Sequence, residues 1–298
     1  MKKTAGTIIL CFLLGFLIGC GKGEESVPVI GDVVQVKQNT YSCSFDGMKH
    51  TFILDLPMKS EGAPLVLFLP GYGDTAEAFR SEIHFEKEAV PLGYSVAYVT
   101  GAPDPSSPAS AVGWNSDSGH QGNRDVEFLT ALSGYLQDKY LLDPSRTYAV
   151  GFSNGAFMTH RLAMEASDTF HACVSVAGLM KQSVWEMRRE SNAVGFFQIT
   201  GEKDNVVPKN RDGSAKYANA PAIEEVMEYW AASNGLEQSE TGLIGDGSEL
   251  TKYTGVDKAQ QVWHLIISNG RHSWPSERFN LIDINTLILE FLEAQKEE

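Results

Sequence analysis

Between Thr147 and Glu165 the chain reads TYAVGFSNGAFMTHRLAME, and no other stretch narrows so far what it can fold into. Tyr148 to Val150 is a short apolar run, as expected of a buried strand bounded by turn residues. It enters Gly151-Phe152-Ser153-Asn154-Gly155, a G-x-S-x-G pentapeptide, and then Ala156, Phe157, Met158, Leu162 and Ala163, apolar at helical spacing. Strand, sharp turn and helix are the context of a nucleophile elbow, which holds a serine Oγ clear of the sheet with a backbone N–H beside it. In a chain with 28 glycines such a pentapeptide also arises by chance. An ordinary serine in a strand-to-helix turn is therefore the competing reading, and the context has to decide.

The surrounding elements can be placed coarsely. Tyr41–Leu56 reads as a strand pair around Asp46-Gly47, and Pro64–Leu69 as a strand buried on both faces. Thr75–Val90 has helical character, Tyr94–Thr100 is a strand, and Asp125–Tyr140 is an amphipathic helix. After the elbow come strands at Ala172–Val176 and Val194–Thr200, a helix at Ile223–Ser233, a strand at Gln261–Ser268 and a closing helix at Leu281–Ala294. Alternation of strand and helix predicts an α/β fold, a mostly parallel central sheet with helices on both faces. Asp104–Arg124 is a long Pro/Ser/Gly-rich loop carrying Trp114 and Asn115; a loop of that length in a compact domain is more often functional than idle. Residues 41–298 suit one domain.

A serine hydroxyl needs a base to take its proton, and the base needs an orienting acid. In α/β-hydrolases these follow in the order Ser, Asp/Glu, His on loops beyond the later strands. Of the seven histidines only His264 and His272 come late enough. His264 lies inside the strand QVWHLIIS and reads as a packed strand residue. His272 stands at a loop tip, SNGRHSWP, and is preferred. For the acid, strand VGFFQIT runs into GEKDNVVP; Asp204 sits just past the strand end, Glu202 is a rival, and Asp212 and Asp246 read as solvated charges. An oxyanion hole needs two N–H groups, one expected from Asn154. The other should come from the turn after PLVLFL and is assigned to Tyr72, with Gly71 and Gly73 as alternatives.

The N-terminus predicts export. Met1-Lys2-Lys3 precedes the apolar run Thr7–Ile18, too short for a comfortable membrane span, and Leu17-Ile18-Gly19-Cys20 looks like a bacterial lipobox. Residues 1–19 then form a lipoprotein signal peptide, Cys20 the acylated residue, and 20–40 mostly a tether whose end can become an edge strand. A plain secretory signal or a short uncleaved anchor is the competing reading. Loss of Lys2 and Lys3 moves the formal charge from -14 to -16. That excess predicts no affinity for nucleic acid or anionic lipid, so membrane contact is expected through the lipid on Cys20 alone. With Cys11 in the leader, only Cys43 and Cys173 are left. They belong to distant strands and are expected to be buried thiols. No C-x-x-C or H-E-x-x-H spacing suggests a metal, and no cofactor is expected.

The set LPGYGD, GWN, RDVEFL, DPSRTYAVGFSNGAFMTHRLA, FHACVSVAG, GEKDNVVP and NGRHSWP, spread over nearly all of 45–295, resembles the secreted esterases grouped with poly(3-hydroxybutyrate) depolymerases. These are related to the feruloyl and acetylxylan esterases of carbohydrate esterase family 1. The resemblance implies an α/β-hydrolase fold, a Ser153–Asp204–His272 triad, and Trp114 near the substrate cleft. The Asp104–Arg124 loop is expected to bring Asn115 to the same cleft, and Trp274 is expected as a further substrate contact. Two departures stand out. Pro70-Gly71 replaces the usual His-Gly of the first oxyanion loop, and Arg271 replaces a usual Gly beside the histidine. The substrate implied is an ester of a small or aromatic acid, acetyl or feruloyl, on plant polysaccharide. A polyhydroxybutyrate oligomer, a peptide substrate and a catalytically inactive ligand-binding lipoprotein are the alternatives.

Overall fold

Leu65–Leu69, the run LVLFL, is buried throughout, and its side chains alternate between two separate apolar clusters. Leu65, Leu67 and Leu69 enter one cluster, Val66 and Phe68 the other. A strand with both faces buried needs a covering layer on each side, and the sequence supplies helices for both. The computed structural model describes residues 29–104, 107, 109–118, 122–189, 193–207, 220–255 and 260–295. The leader with Cys20, the first part of the expected tether, and Asp212 lie outside these residues.

The strands in chain order are β1 (Gly31–Lys37), β2 (Thr40–Phe45), β3 (Met48–Asp55), β4 (Leu65–Leu69), β5 (Ser95–Val99), β6 (Ala102–Pro103), β7 (Val112–Gly113), β8 (Thr147–Phe152), β9 (Ala172–Val176), β10 (Gly195–Gly201), β11 (Gln238–Ile244), β12 (Ser248–Thr254) and β13 (Val262–Ile267). Eleven of them form one sheet in the order β1-β2-β3-β5-β4-β8-β9-β10-β13-β12-β11, while β6 and β7 pair separately. From β5 to β13 every pairing is parallel. Antiparallel strands extend both edges.

The α-helices among the described residues are α1 (Ala76–Ile83), α2 (Glu86–Ala89), α3 (Asp125–Tyr140), α4 (Asn154–Glu165), α5 (Gln182–Trp185), α6 (Ile223–Ser233), α7 (Glu277–Asn280) and α8 (Ile284–Glu293). Phe79 of α1 and Ile288 and Phe291 of α8 pack with Val66, Phe68 and Val150 on one face. Leu129 of α3, Met158 and Leu162 of α4, and Trp230 of α6 pack with Leu67 and Ala149 on the other. The fold is the expected α/β-hydrolase arrangement. The chain runs outward from β4 to β5 and returns on the far side of β4 as β8. That reversal leaves a crevice at the carboxyl ends of β4 and β8, where open α/β sheets bind ligands.

The end of the tether is the edge strand β1, antiparallel to β2. Three local differences from the sequence reading have physical causes. The hairpin β11–β12 leaves no pattern in the sequence, because the strand QSETGLI is exposed nearly throughout and shows no apolar alternation. The stretch from Thr75 to Val90 is two helices, since His84 takes a left-handed conformation (φ 51°) that ends α1. The closing helix starts at Ile284 rather than Leu281, because Leu281 is left-handed (φ 53°) and Asp283 caps the Thr286 N–H. Cys43 and Cys173 are buried free thiols. Four strands separate β2 from β9, roughly 24 Å at ordinary strand spacing, well beyond disulfide reach. Burial pushes the Cys43 thiol up to about 11.

Candidate active site

Ser153 follows β8 directly and precedes the first residue of α4, with φ 50° and ψ −115°. A non-glycine residue in that region costs on the order of 1–3 kcal/mol and persists only where its surroundings over-determine it. Here the Ser153 N–H donates to the Val176 carbonyl (2.9 Å) and its carbonyl accepts from Phe157 N–H (3.0 Å). The two motif glycines make the turn sterically possible. A Cβ on Gly151 would stand 2.2 Å from the Gly155 carbonyl oxygen, and one on Gly155 would stand 1.9 Å from that of Leu69.

His272 reaches the serine from the loop after β13, its Nε2 lying 2.9 Å from Ser153 Oγ. Its Nδ1 lies 2.8 Å from Asp204 Oδ2. A carboxylate only accepts, so Nδ1 carries the proton and Nε2 is left to accept from the serine hydroxyl. Asp204 is 5 % exposed, and its Oδ1 accepts the backbone N–H groups of Val206 and Val207, both at 2.8 Å. Glu202, the rival acid, is exposed and accepts from Asn269 N–H instead (3.1 Å). His264 is buried in β13, as its strand position implied.

The acid and base loops are held together by glycines that the sequence reading passed over. A Cβ on Gly201 would meet the Gly270 carbonyl oxygen at 2.6 Å, and one on Gly270 would meet Gly201 Cα at 3.0 Å. Lys203 N–H donates to the same Gly270 carbonyl (2.8 Å). A glycine at the end of β10 and another three residues past the end of β13 were the available signal.

On the oxyanion side, the Gly73 N–H is taken by the Val112 carbonyl (2.8 Å). This removes Gly73 as a donor and leaves Gly71 and Tyr72. Asn154 opens α4, so its N–H has no acceptor within the helix. Tyr72 is 55 % exposed, with its hydroxyl donating to Asp104 Oδ2 (2.9 Å).

The side chains expected to contact substrate are engaged within the protein. Trp114 is 6 % exposed and belongs to the core, so it offers no open face for stacking. Its indole N–H donates to the Pro70 carbonyl (3.1 Å). Asn115 is occupied by the protein: its N–H donates to Asp125 Oδ2 (2.6 Å), and its carbonyl accepts from Arg161 (2.6 Å). Trp274 is half-buried against Phe68, Phe79 and Phe152, where it packs the histidine loop onto α1 and the elbow. Arg271 is exposed beside His272. A tryptophan in a polar loop reads as exposed because nothing local shows which core face it enters.

Among the described residues, no group of His, Cys, Asp and Glu side chains could hold a metal ion. The arrangement of hydroxyl, imidazole and carboxylate is suited to moving a proton off Ser153 while the oxygen attacks an electrophilic carbon.

Residues 113–231 match the model of the Prolyl oligopeptidase family. NocK of Nocardia uniformis subsp. tsuyamanensis, described as an esterase, is 28 % identical over 246 residues, covering 75 % of this chain and 69 % of its own. Feruloyl esterase B of Piromyces equi is 26 % identical over 219 residues, 72 % of this chain and 40 % of that protein. Acetyl xylan esterase from Aspergillus awamori has a similar fold, with a TM-score of 0.58 at 15 % identity over 89 % of this chain and 100 % of that one. The chain thus spans well under two thirds of the feruloyl esterase.

Proposed function

We propose that this chain, which belongs to the esterase group of the α/β-hydrolases, hydrolyses carboxylic esters through Ser153, His272 and Asp204. The observation that carries the reading is the unbroken sequence of contacts from Ser153 Oγ through both nitrogens of His272 to Asp204. Ser153 Oγ attacks the ester carbonyl carbon as its proton passes to His272 Nε2. The Asp204 carboxylate holds the ring and stabilises the imidazolium. The oxyanion is met by the N–H groups of Asn154 and Tyr72. His272 then returns the proton to the departing alkoxide oxygen, leaving the acyl group on Ser153. Water attacks that acyl-enzyme, giving its proton to His272, and the acid leaves as Ser153 recovers its hydrogen.

The substrate we infer is an acetyl or feruloyl ester on plant polysaccharide or oligosaccharide. Support comes from the named activities of the relatives and from the exposed Tyr72 ring at the mouth of the site. The match to the Prolyl oligopeptidase family favours a peptide amide as the second reading. We read residues 1–19 as a lipoprotein signal and Cys20 as the acylated residue, so that the enzyme works in the bacterial cell envelope, exported and held by its lipid. Among the described residues no helix is long and apolar enough to cross a membrane.

The test is hydrolysis of aryl acetate, feruloyl, hydroxybutyryl and peptide substrates by the purified protein and by Ser153→Ala. The variant should lose on the order of 10⁶ in kcat while staying folded. Retention of more than about a tenth of the activity would move the nucleophile elsewhere. A preference for the peptide would hand the site to the second reading.

A further inference from the structure

Every polar group of Trp114 is tied to an element that flanks Ser153. Its backbone N–H donates to Asn154 Oδ1 (2.7 Å), and its carbonyl accepts from Asn154 Nδ2 (3.1 Å). Its indole Nε1–H donates to the Pro70 carbonyl (3.1 Å). The next residue, Asn115, is gripped from opposite sides, its N–H by the Asp125 carboxylate and its carbonyl by the Arg161 guanidinium. Arg161 is itself braced by Glu165 (2.7 Å). Residues 114 and 115 are thus anchored in α3 and α4 before they touch the site.

The partners chosen are notable for what they adjoin. Asn154 carries one expected oxyanion donor, and Pro70 opens the turn that carries the other. We propose that Trp114 is a positioning residue that couples the two halves of the oxyanion hole, one through the Asn154 side chain and one through the Pro70 carbonyl. This rests on the serine-esterase reading above.

The coupling follows from peptide geometry. In a trans peptide the carbonyl and the N–H point opposite ways, so holding the Pro70 oxygen fixes the Pro70–Gly71 plane and with it how the chain enters the turn one residue before the Tyr72 N–H. That turn lies against the nucleophile: a Cβ on Gly71 would sit 3.4 Å from Ser153 Cβ. The two bonds to the Asn154 amide fix the rotation of the first turn of α4, and with it the aim of the Asn154 N–H. An oxyanion donor stabilises the transition state only when it points at the place the charge will occupy. A displacement of about 1 Å can cost on the order of a hundredfold in rate.

Trp114→Phe retains an aromatic ring but removes the Nε1–H donor together with part of the buried indole. On an aryl acetate its kcat should fall about ten- to a hundredfold with KM within about threefold, since the lost alignment acts only in the transition state. Asn154→Leu is close in size, adds no charge and loses both bonds to Trp114, and should show the same split. The double variant should cost less than the product of the two single effects, because both substitutions loosen one assembly. If Trp114→Phe does not fold, Asn154→Leu alone carries the kinetic test. Hydrogen–deuterium exchange reads the tie without turnover: Trp114→Phe, or Asn154→Leu in its place, should speed exchange in both residues 70–74 and residues 153–157. A folded variant with kcat within about twofold of wild type, or with exchange unchanged in either segment, overturns the proposal. A wild-type protein inactive on every ester and unlabelled by a fluorophosphonate overturns the esterase reading instead, while exchange still decides whether Trp114 joins the two segments.

Discussion

Asp125→Asn should change how stability depends on pH. Asp125 is 1 % exposed at the first position of α3, and its Oδ1 has no hydrogen-bond partner. Burial raises its carboxyl from 3.8 to about 6, against the opposing pull of the Asn115 N–H bond and the Arg161 charge. Below the unfolded value both states hold the proton and the site costs nothing. Between 3.8 and about 6 the unfolded carboxyl ionises first, so the folded state binds more protons and stability falls as pH rises. Above about 6 the full cost stands. A shift of this size is worth about 3 kcal/mol at 1.36 kcal/mol per pH unit. An amide at this position never ionises, yet still offers an oxygen to the Asn115 N–H. Urea unfolding of both proteins at about pH 4 and about pH 7.5 measures the difference at two points on that curve. The variant should gain about 2.5 kcal/mol on wild type between the two, since at about pH 4 the unfolded carboxyl is already partly ionised. A gap that stays constant across this range would refute the burial argument. A gap that moved the other way would show that Arg161 dominates.

Asp204→Asn should lower kcat by several orders of magnitude, since an amide no longer dictates the His272 tautomer, whereas Glu202→Gln should cost little; steady-state kinetics on one aryl ester ranks them, and the reverse order would transfer the role to Glu202. Expression with labelled palmitate should mark the wild type and not Cys20→Ser, and equal labelling of both would show that the leader is not a lipoprotein signal.

How much of this was legible in the sequence depends on the range of the forces involved. Strand β4 declared itself because a strand buried on both faces must be apolar at every position, whatever packs on it. The elbow declared itself because the turn imposes glycine at both ends of the pentapeptide. Asp204 and His272 were reachable because the fold dictates the order of strand ends, and chain order survives in sequence. Trp114 was not readable in this way. Its partners, Pro70 and Asn154, lie 44 and 40 residues away, and nothing in the polar loop Asp104–Arg124 marks the ring as buried. The pairing of Gly201 with Gly270 fails for the same reason, since close approach involves two positions of which each sequence window shows one.

The site therefore divides into two kinds of residue. Ser153, His272 and Asp204 meet through hydrogen bonds of 2.8 and 2.9 Å, and their chemistry makes them recognisable one by one. The residues packed around them act by leaving room for close approach, as Gly151, Gly155, Gly201 and Gly270 do, or by holding backbone groups, as Trp114, Asn154, Asp125 and Arg161 do. The strained backbone of Ser153 shows why the second kind is needed. A conformation costing a few kcal/mol relaxes unless the alternatives are worse, and here relaxation would press the elbow against β4 or break the Val176 and Phe157 bonds. Ser153 keeps this conformation because its neighbours leave it no cheaper place to go.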